Sequence, residues 1–130
     1  MEIERRTAQI FAESWAAAWN SHDVDAVLAH FADDAVFTSP VARQLLPETS
    51  GILRGKLAIR DYWALALNAA GEFHVELVDV YLGVDTLVIN YRNQRGTRVC
   101  EVLTVRDGVV VSGAGTYLDN DPASASGISG

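Results

Sequence analysis

The sequence contains one cysteine, Cys100, and three prolines in 130 residues. A single cysteine excludes an intrachain disulfide bond and any zinc site built from several cysteines. Basic residues are also scarce. The chain has ten lysines and arginines against 17 aspartates and glutamates, which gives a formal net charge of -7. So acidic a chain repels phosphate backbones and anionic lipids. We therefore expect neither a nucleic-acid partner nor a membrane partner.

Long apolar runs are absent as well. No stretch approaches the roughly 20 residues that a membrane-spanning helix needs, and residues 1–6 lack the apolar centre of a signal peptide. We therefore expect a cytoplasmic protein. The composition is that of a globular domain, with 49% hydrophobic and 21% charged residues. One domain is predicted over residues 1–120, followed by a flexible C-terminal tail over residues 121–130.

Three segments have the three- and four-residue spacing of apolar side chains that is typical of an amphipathic helix. The first segment is predicted to end at Asn20. The second begins after Asp23, whose carboxylate can accept hydrogen bonds from the free N–H groups of a helix start. The third begins at Lys56 and ends at Gly71.

A less regular part of the chain lies between the second and third helices. Residues 35–39 are predicted to form a short strand that Pro40 stops, because proline cannot donate to a sheet ladder. Residues 40–55 have no clean periodicity, and we predict a long loop there. Long loops in small domains often form lids or rims. We therefore expect residues 41–54 to be the mobile rim of a binding pocket.

The second half of the chain changes to the pattern of strands. Four runs rich in valine, leucine, tyrosine and threonine cover residues 73–82, 85–93, 97–106 and 109–118. The turns between them are short, and Asp107-Gly108 is a strong hairpin signal. Four such strands form an antiparallel meander. The fold class is therefore α+β, in the order α-α-β-α-β-β-β-β, with three helices packed on a mostly antiparallel sheet.

Alternation along the strands assigns their side chains to two faces. Val99, Glu101 and Leu103 share the more apolar face, which the helices should cover. The valines expected on the opposite, open face are Val78, Val80, Val88 and Val102. An open face with apolar side chains suggests a partner, and we expect a homodimer joined through it.

Two segments also carry a family resemblance. The stretches Trp19-Asn20-Ser21-His22-Asp23-Val24-Asp25 and Phe31-Ala32-Asp33-Asp34-Ala35-Val36-Phe37 resemble a pattern of SnoaL-like and ketosteroid-isomerase-like proteins. Residues 54–63 are similar to the usual start of the third helix in these proteins. They belong to the nuclear transport factor 2-like superfamily. The resemblance covers roughly residues 5–118 and implies a cone-shaped α+β fold with a curved sheet.

The resemblance to ketosteroid isomerases matches three catalytic positions of those enzymes to residues of this chain. The oxyanion-donating tyrosine of those enzymes falls on Trp15, the general-base aspartate on Ser39, and the protonated acid on Glu101. An indole replaces the phenol, and a serine hydroxyl cannot shuttle a carbon-bound proton near neutral pH. We therefore do not expect a true ketosteroid isomerase.

Glu101 is the candidate catalytic residue. Burial among apolar side chains would raise the pKa of its carboxyl group, as in many catalytic acids. Alternatively, its side chain points to the other face or pairs with an arginine. The other candidates would line a pocket for a small, largely apolar organic molecule. They are Trp15, Trp19, Phe37, Ser39, Tyr62, Trp63, Asp79, Tyr91, Leu103 and Tyr117. The alternative for the aromatic residues is a plain core.

Two functions remain open from the sequence. The first is cofactor-free acid–base chemistry of the isomerase, cyclase or dehydratase type, with Glu101 as proton donor or acceptor. The second is a non-catalytic ligand-binding or protein-interaction module. No cofactor is expected, and no metal, since the three histidines lack the spacing of ligands. A void of a few hundred Å3 that reaches solvent and touches Glu101 favours the first function, and a closed core favours the second.

Overall fold

The computed structural model describes residues 4–118, so the predicted tail at residues 121–130 lies outside the described part. The helices are α1 (Arg5–Asn20), α2 (Val24–Leu28), α3 (Pro40–Leu45) and α4 (Lys56–Ala70), with a short 3-10 turn at Pro47–Thr49. The strands are β1 (Phe31–Thr38), β2 (Ile52–Arg54), β3 (Glu76–Leu82), β4 (Thr86–Arg92), β5 (Arg98–Arg106) and β6 (Val109–Tyr117). No helix in this part of the chain is long and apolar enough to cross a membrane.

The six strands form one curved, mixed sheet in the order β2-β1-β6-β5-β4-β3. Neighbouring strands are antiparallel except β1 and β6, which run parallel. The four C-terminal strands are the meander that their short turns predict. The α+β fold class is therefore confirmed.

Side-chain hydrogen bonds fix the end of α1 and the start of α2. The amide of Asn20 donates to the carbonyl of Val75 at 3.0 Å and accepts from the Val75 N–H at 2.8 Å. The Asn20 side chain thus forms with Val75, just before β3, the two hydrogen bonds that a neighbouring strand would otherwise form. The Asp23 carboxylate accepts from the N–H of Ala26 at 3.1 Å, which is the helix cap that the sequence predicts.

Residues 40–55 do not form the long loop that we expected. Ser39 caps α3 by accepting a hydrogen bond from the Val41 N–H, and Pro40 occupies the first turn of the helix. β2 then pairs with β1, with Leu53 opposite Phe37. The loop prediction was wrong because elements of six and three residues are too short to show a period. β1 also begins at Phe31, earlier than expected.

β3 contains an irregularity that changes which of its side chains face the core. Its pairing with β4 shifts between Leu77 and Asp79. A bulge of this kind reverses the alternation beyond it. Val80 is therefore buried and Asp79 is exposed. The expectations that Val80 lies on the open face and that Asp79 lines the interior are both wrong.

Candidate functional site

Glu101 lies near the middle of β5, on the face that the helices cover. Its ladder partners are Ile89 on β4 and Gly115 on β6. The neighbouring inward residues Val99 and Leu103 are fully buried, and Glu101 itself is 3% exposed. The predicted inward direction is therefore what the structure shows. Gly115, the partner on β6, has no side chain and is itself buried.

The Glu101 carboxyl group has little polar compensation for its burial. The Tyr91 hydroxyl donates to Oε1 at 3.5 Å, which is long for this bond. Within residues 4–118, no basic side chain forms an ion pair with Glu101. Burial raises the pKa of Glu101 to about 8, and the hydrogen bond from Tyr91 opposes only part of that rise. The carboxyl group is thus mostly protonated at neutral pH.

A second polar pair lies nearby. The hydroxyl groups of Ser39 and Tyr62 are 3.3 Å apart, and both residues are buried. Burial raises the pKa of Tyr62, with Ser39 opposing the rise and Glu101 adding to it. Ser39 therefore caps the start of α3 and also contacts the hydroxyl group of Tyr62 on α4.

Tyr117 brings a third phenol to the same region from the end of β6. Burial raises the pKa of Tyr117, and Tyr62 and Glu101 add to the rise. Ser39 is near enough to oppose it, but the Tyr117 hydroxyl has no partner at hydrogen-bonding geometry. We call Ser39, Tyr62, Tyr91, Glu101 and Tyr117 the interior polar cluster. It is built from five elements: the β1–α3 junction, α4, β4, β5 and β6.

Aromatic rings surround this cluster. Trp15 packs against Tyr91 with ring centroids 5.2 Å apart, and Trp63 makes edge-to-face contacts with Trp19 at 5.1 Å and Phe37 at 5.5 Å. All these side chains are buried. The structure thus brings together the predicted pocket residues other than Asp79, and it places them in the core.

Among the hollows on the described part of the molecule, three are well formed, and Glu101 lines none of these three. One, of about 190 Å3, lies between α3, β2 and β6 and is lined by Ser39, Arg43, Gly51 and Gly115, among others. We call it the Ser39 hollow. Two of its lining residues connect it to the interior polar cluster. Ser39 is a member of that cluster, and Gly115 is the ladder partner of Glu101. Arg43 and Gly115 were not predicted as site residues, although the β5–β6 register would have pointed to Gly115.

The other two hollows lie elsewhere. The larger, of about 650 Å3, is on the outside of α2 and α4, and the third, of about 250 Å3, is lined by Asn90 and Cys100 on the open sheet face and by Tyr117. The larger one is lined by the ion pair between Arg60 and Asp25, at 2.8 Å. That arginine lowers the pKa of Asp25. None of the residues that line this hollow belongs to the interior polar cluster.

The residues behind the family resemblance have structural roles here. Asn20 fixes Val75, Asp23 caps α2, and Asp25 joins α2 to α4 through Arg60. The ion pair between Asp25 and Arg60 therefore joins the segment 19–25 to the segment 54–63. Within residues 4–118, no cluster of three or more histidine, cysteine, aspartate or glutamate side chains is arranged to hold a metal ion.

A curved, mixed sheet covered by helices places the chain in the class of cone-shaped α+β domains. The SnoaL-like domain family matches residues 12–113, and the chain belongs to this family, within the nuclear transport factor 2-like superfamily. The resemblance read from the sequence is therefore confirmed.

One solved structure supports the same family, and two others share the fold. A SnoaL-like protein of unknown function from Burkholderia thailandensis is 38% identical, covering 92% of this chain and 100% of that one, with a TM-score of 0.84. A putative polyketide cyclase from Sinorhizobium meliloti is 19% identical over 82% and 94% of the two chains, with a TM-score of 0.68. TerC, co-crystallised with polyporic acid, is 15% identical over 85% and 90%, with a TM-score of 0.70. No protein with a curated description matches the sequence.

Proposed function

We propose that this SnoaL-like protein binds a small, largely apolar organic molecule beside the interior polar cluster and moves a proton with Glu101. The reaction would be of the isomerase, cyclase or dehydratase type and would need no cofactor. The observation that carries the proposal is the state of Glu101. Its carboxyl group is buried, it accepts one long hydrogen bond, and it has no ion-pair partner in the described part of the chain.

Such a carboxyl group suits acid–base chemistry near neutral pH. With a pKa of about 8 it holds its proton at pH 7 but releases it at little cost. A general acid or base works best when its pKa lies near the operating pH. The phenols of Tyr62 and Tyr91 keep their protons, because burial raises the pKa of each. They can donate hydrogen bonds to an oxygen atom of the ligand while Glu101 transfers the proton.

The Ser39 hollow is the proposed way in. Ser39 and Gly115 line it, and Gly115 is the ladder partner of Glu101 on β6. Its volume of about 190 Å3 is comparable with an engineered cavity of about 150 Å3 that binds benzene. A ligand with one ring fits this size. To reach Glu101 it must displace the short segments α3 and β2, which form the outer wall.

Two structural neighbours are consistent with chemistry on small organic molecules. One is described as a putative polyketide cyclase, and the other was crystallised with polyporic acid. At identities of 19% and 15%, the similarity of these two proteins to this chain shows a shared fold and no shared function. The argument for this chain therefore rests on its own buried acid.

The test uses acetophenone, a one-ring ketone whose methyl protons can be removed by a base. Binding is measured by calorimetry, and exchange of the methyl protons in D2O is followed by NMR. We expect the protein to bind acetophenone and to speed the exchange. Glu101→Gln should bind it and reduce the exchange to the buffer rate, whereas the exposed control Glu72→Gln should behave like the unchanged protein. Absence of binding would contradict the proposal.

A second candidate function is a non-catalytic binding or interaction module. One observation favours it, namely that none of the three described hollows is lined by Glu101. The aromatic rings then serve as an ordinary core. Binding of acetophenone with no difference in proton exchange between the protein and Glu101→Gln would support this second function.

A further inference from the structure

The Tyr117 hydroxyl differs from the other members of the interior polar cluster in its hydrogen bonding. Ser39 and Tyr62 lie within hydrogen-bonding distance of each other, and Tyr91 donates to Glu101. The oxygen atom of Tyr117 is buried and has no hydrogen-bond partner among residues 4–118. Buried polar groups without a partner are rare in native proteins, and each calls for an explanation.

The other buried polar atoms without a partner among the described residues are side-chain amide atoms of Asn90, Asn93 and Gln94, which lie outside the interior polar cluster, and two indole nitrogens, which have a local explanation that Tyr117 lacks. The indole nitrogens of Trp19 and Trp63 are also unpaired. Their rings contact each other edge to face, and Trp63 contacts Phe37 in the same way. Such surroundings offer weak N–H contacts to aromatic faces. No aromatic contact of this kind is found for Tyr117 among the described residues, so its O–H group is a spare donor.

The position of Tyr117 connects this donor to the proposed ligand route. Tyr117 and Gly115 are two residues apart on β6 and face the same side, since their ladder partners are the buried Val99 and Glu101. Gly115 also lines the Ser39 hollow. A ligand that enters past Gly115 therefore meets the Tyr117 hydroxyl and the Glu101 carboxyl group together.

We propose that Tyr117 donates a hydrogen bond to a neutral carbonyl oxygen of the ligand, and so selects one-ring carbonyl compounds over hydrocarbons of the same shape. This inference rests on the proposed function, because it places the ligand beside Glu101. A neutral oxygen is favoured because the interior polar cluster contains no cation to compensate an anionic one. The proposal gives Tyr117 a role in binding and none in proton transfer.

The test compares acetophenone with α-methylstyrene, in which a CH2 group replaces the carbonyl oxygen. Affinities for both are measured with the unchanged protein and with Tyr117→Phe, which removes only the hydroxyl oxygen. We expect Tyr117→Phe to bind acetophenone about ten-fold more weakly and α-methylstyrene equally well. Tyr81→Phe is the matched control, since it removes the hydroxyl group of a tyrosine that is 53% exposed. It should change neither affinity.

The outcomes separate the two proposals. If both compounds bind and Tyr117→Phe weakens both equally or neither, the assignment of Tyr117 is overturned while the interior binding site stands. If neither compound binds the unchanged protein, both proposals fail together.

Thermal unfolding checks the variant itself: Tyr117→Phe should be at least as stable as the unchanged protein, because it removes an unpaired buried oxygen. A clear loss of stability would mean that the hydroxyl is already paired within the protein, and would overturn the inference.

Discussion

Glu101 on β5 and Gly115 on β6 are direct partners in the antiparallel ladder. One contributes a buried acid, and the other contributes no side chain and lines the Ser39 hollow. We expect a side chain at position 115 to separate the carboxyl group from that hollow. The pair therefore places an acid with a raised pKa next to a residue that lines a surface hollow.

The first prediction concerns the dependence of stability on pH. A glutamate in an unfolded chain has a pKa near 4.5, and folding raises that of Glu101 to about 8. Between these values the unfolded chain has released the proton and the folded chain still holds it, so stability falls as pH rises from about 4.5 to 8. Above pH 8 this contribution is constant. The total loss is on the order of a few kcal/mol.

Glu101→Gln isolates this effect. It should be as stable as the unchanged protein at pH 4.5 and more stable by a few kcal/mol at pH 8, since an amide does not ionise. Urea unfolding at a series of pH values measures the difference, and NMR of the Glu101 carboxyl carbon measures the pKa directly. A Glu101 pKa near 4.5, together with parallel stability curves for the two proteins, would show that the carboxyl group is solvated.

The second prediction concerns Asn20, whose amide pairs with both backbone groups of Val75. Asn20→Ala leaves an N–H and a carbonyl without these partners at the start of β3. We expect a loss of about 2 kcal/mol in the free energy of unfolding. The control Asn68→Ala removes an exposed amide from α4 and should change stability by less than about 0.5 kcal/mol. Equal effects of the two substitutions in urea unfolding would contradict the role of Asn20.

The inward direction of Glu101 could be predicted because β5 alternates without interruption from Val99 to Leu103. In β3 the same reasoning failed. The bulge between Leu77 and Asp79 comes from pairing with β4, and no residue type in the strand signals it. The alternation of apolar and polar residues along a strand predicts which face of the sheet a side chain lies on only where the pairing register is regular.

The site was harder to predict than the fold for a related reason. The hydroxyl groups of Ser39 and Tyr62 lie 3.3 Å apart but come from separate elements, so no spacing in the sequence records their contact. The segment around Ser39 did contain a local signal, because Ser39-Pro40 is a typical start of a helix. The predicted end of the strand at Pro40 agrees with β1, which ends at Thr38, but the start of α3 at the same proline was not predicted.

The third prediction is that the protein forms a homodimer through the open sheet face. Val88 and Val102 are partners in the β4–β5 ladder and lie half-buried on that face. A lysine there would place a charge in an apolar contact. We expect light scattering at tens of micromolar to give the mass of a dimer, and Val102→Lys to give a monomer. Leu57→Lys, which changes a leucine that is 78% exposed on α4, should remain dimeric. A monomeric unchanged protein would contradict the prediction.

The fourth prediction is that residues 41–54 open more readily than the central strands. This segment contains a six-residue helix and a three-residue strand at the edge of the sheet. Short edge elements have few neighbours to hold them, so they open at a lower free energy than central strands. Some of its side chains, such as Val41 and Leu53, are nevertheless buried. Opening must therefore expose apolar surface, and the open state should be a minor one.

Hydrogen exchange measured by mass spectrometry tests this difference. Amides of residues 41–54 should exchange faster than those of β4 and β5, and acetophenone should slow them if the ligand enters through the Ser39 hollow. The loop at residues 107–108 provides a control, because it is exposed and lies away from the hollow. It should exchange rapidly with or without acetophenone. Exchange in residues 41–54 as slow as in β4 would mean that this wall stays closed, and the route past Gly115 would have to be abandoned.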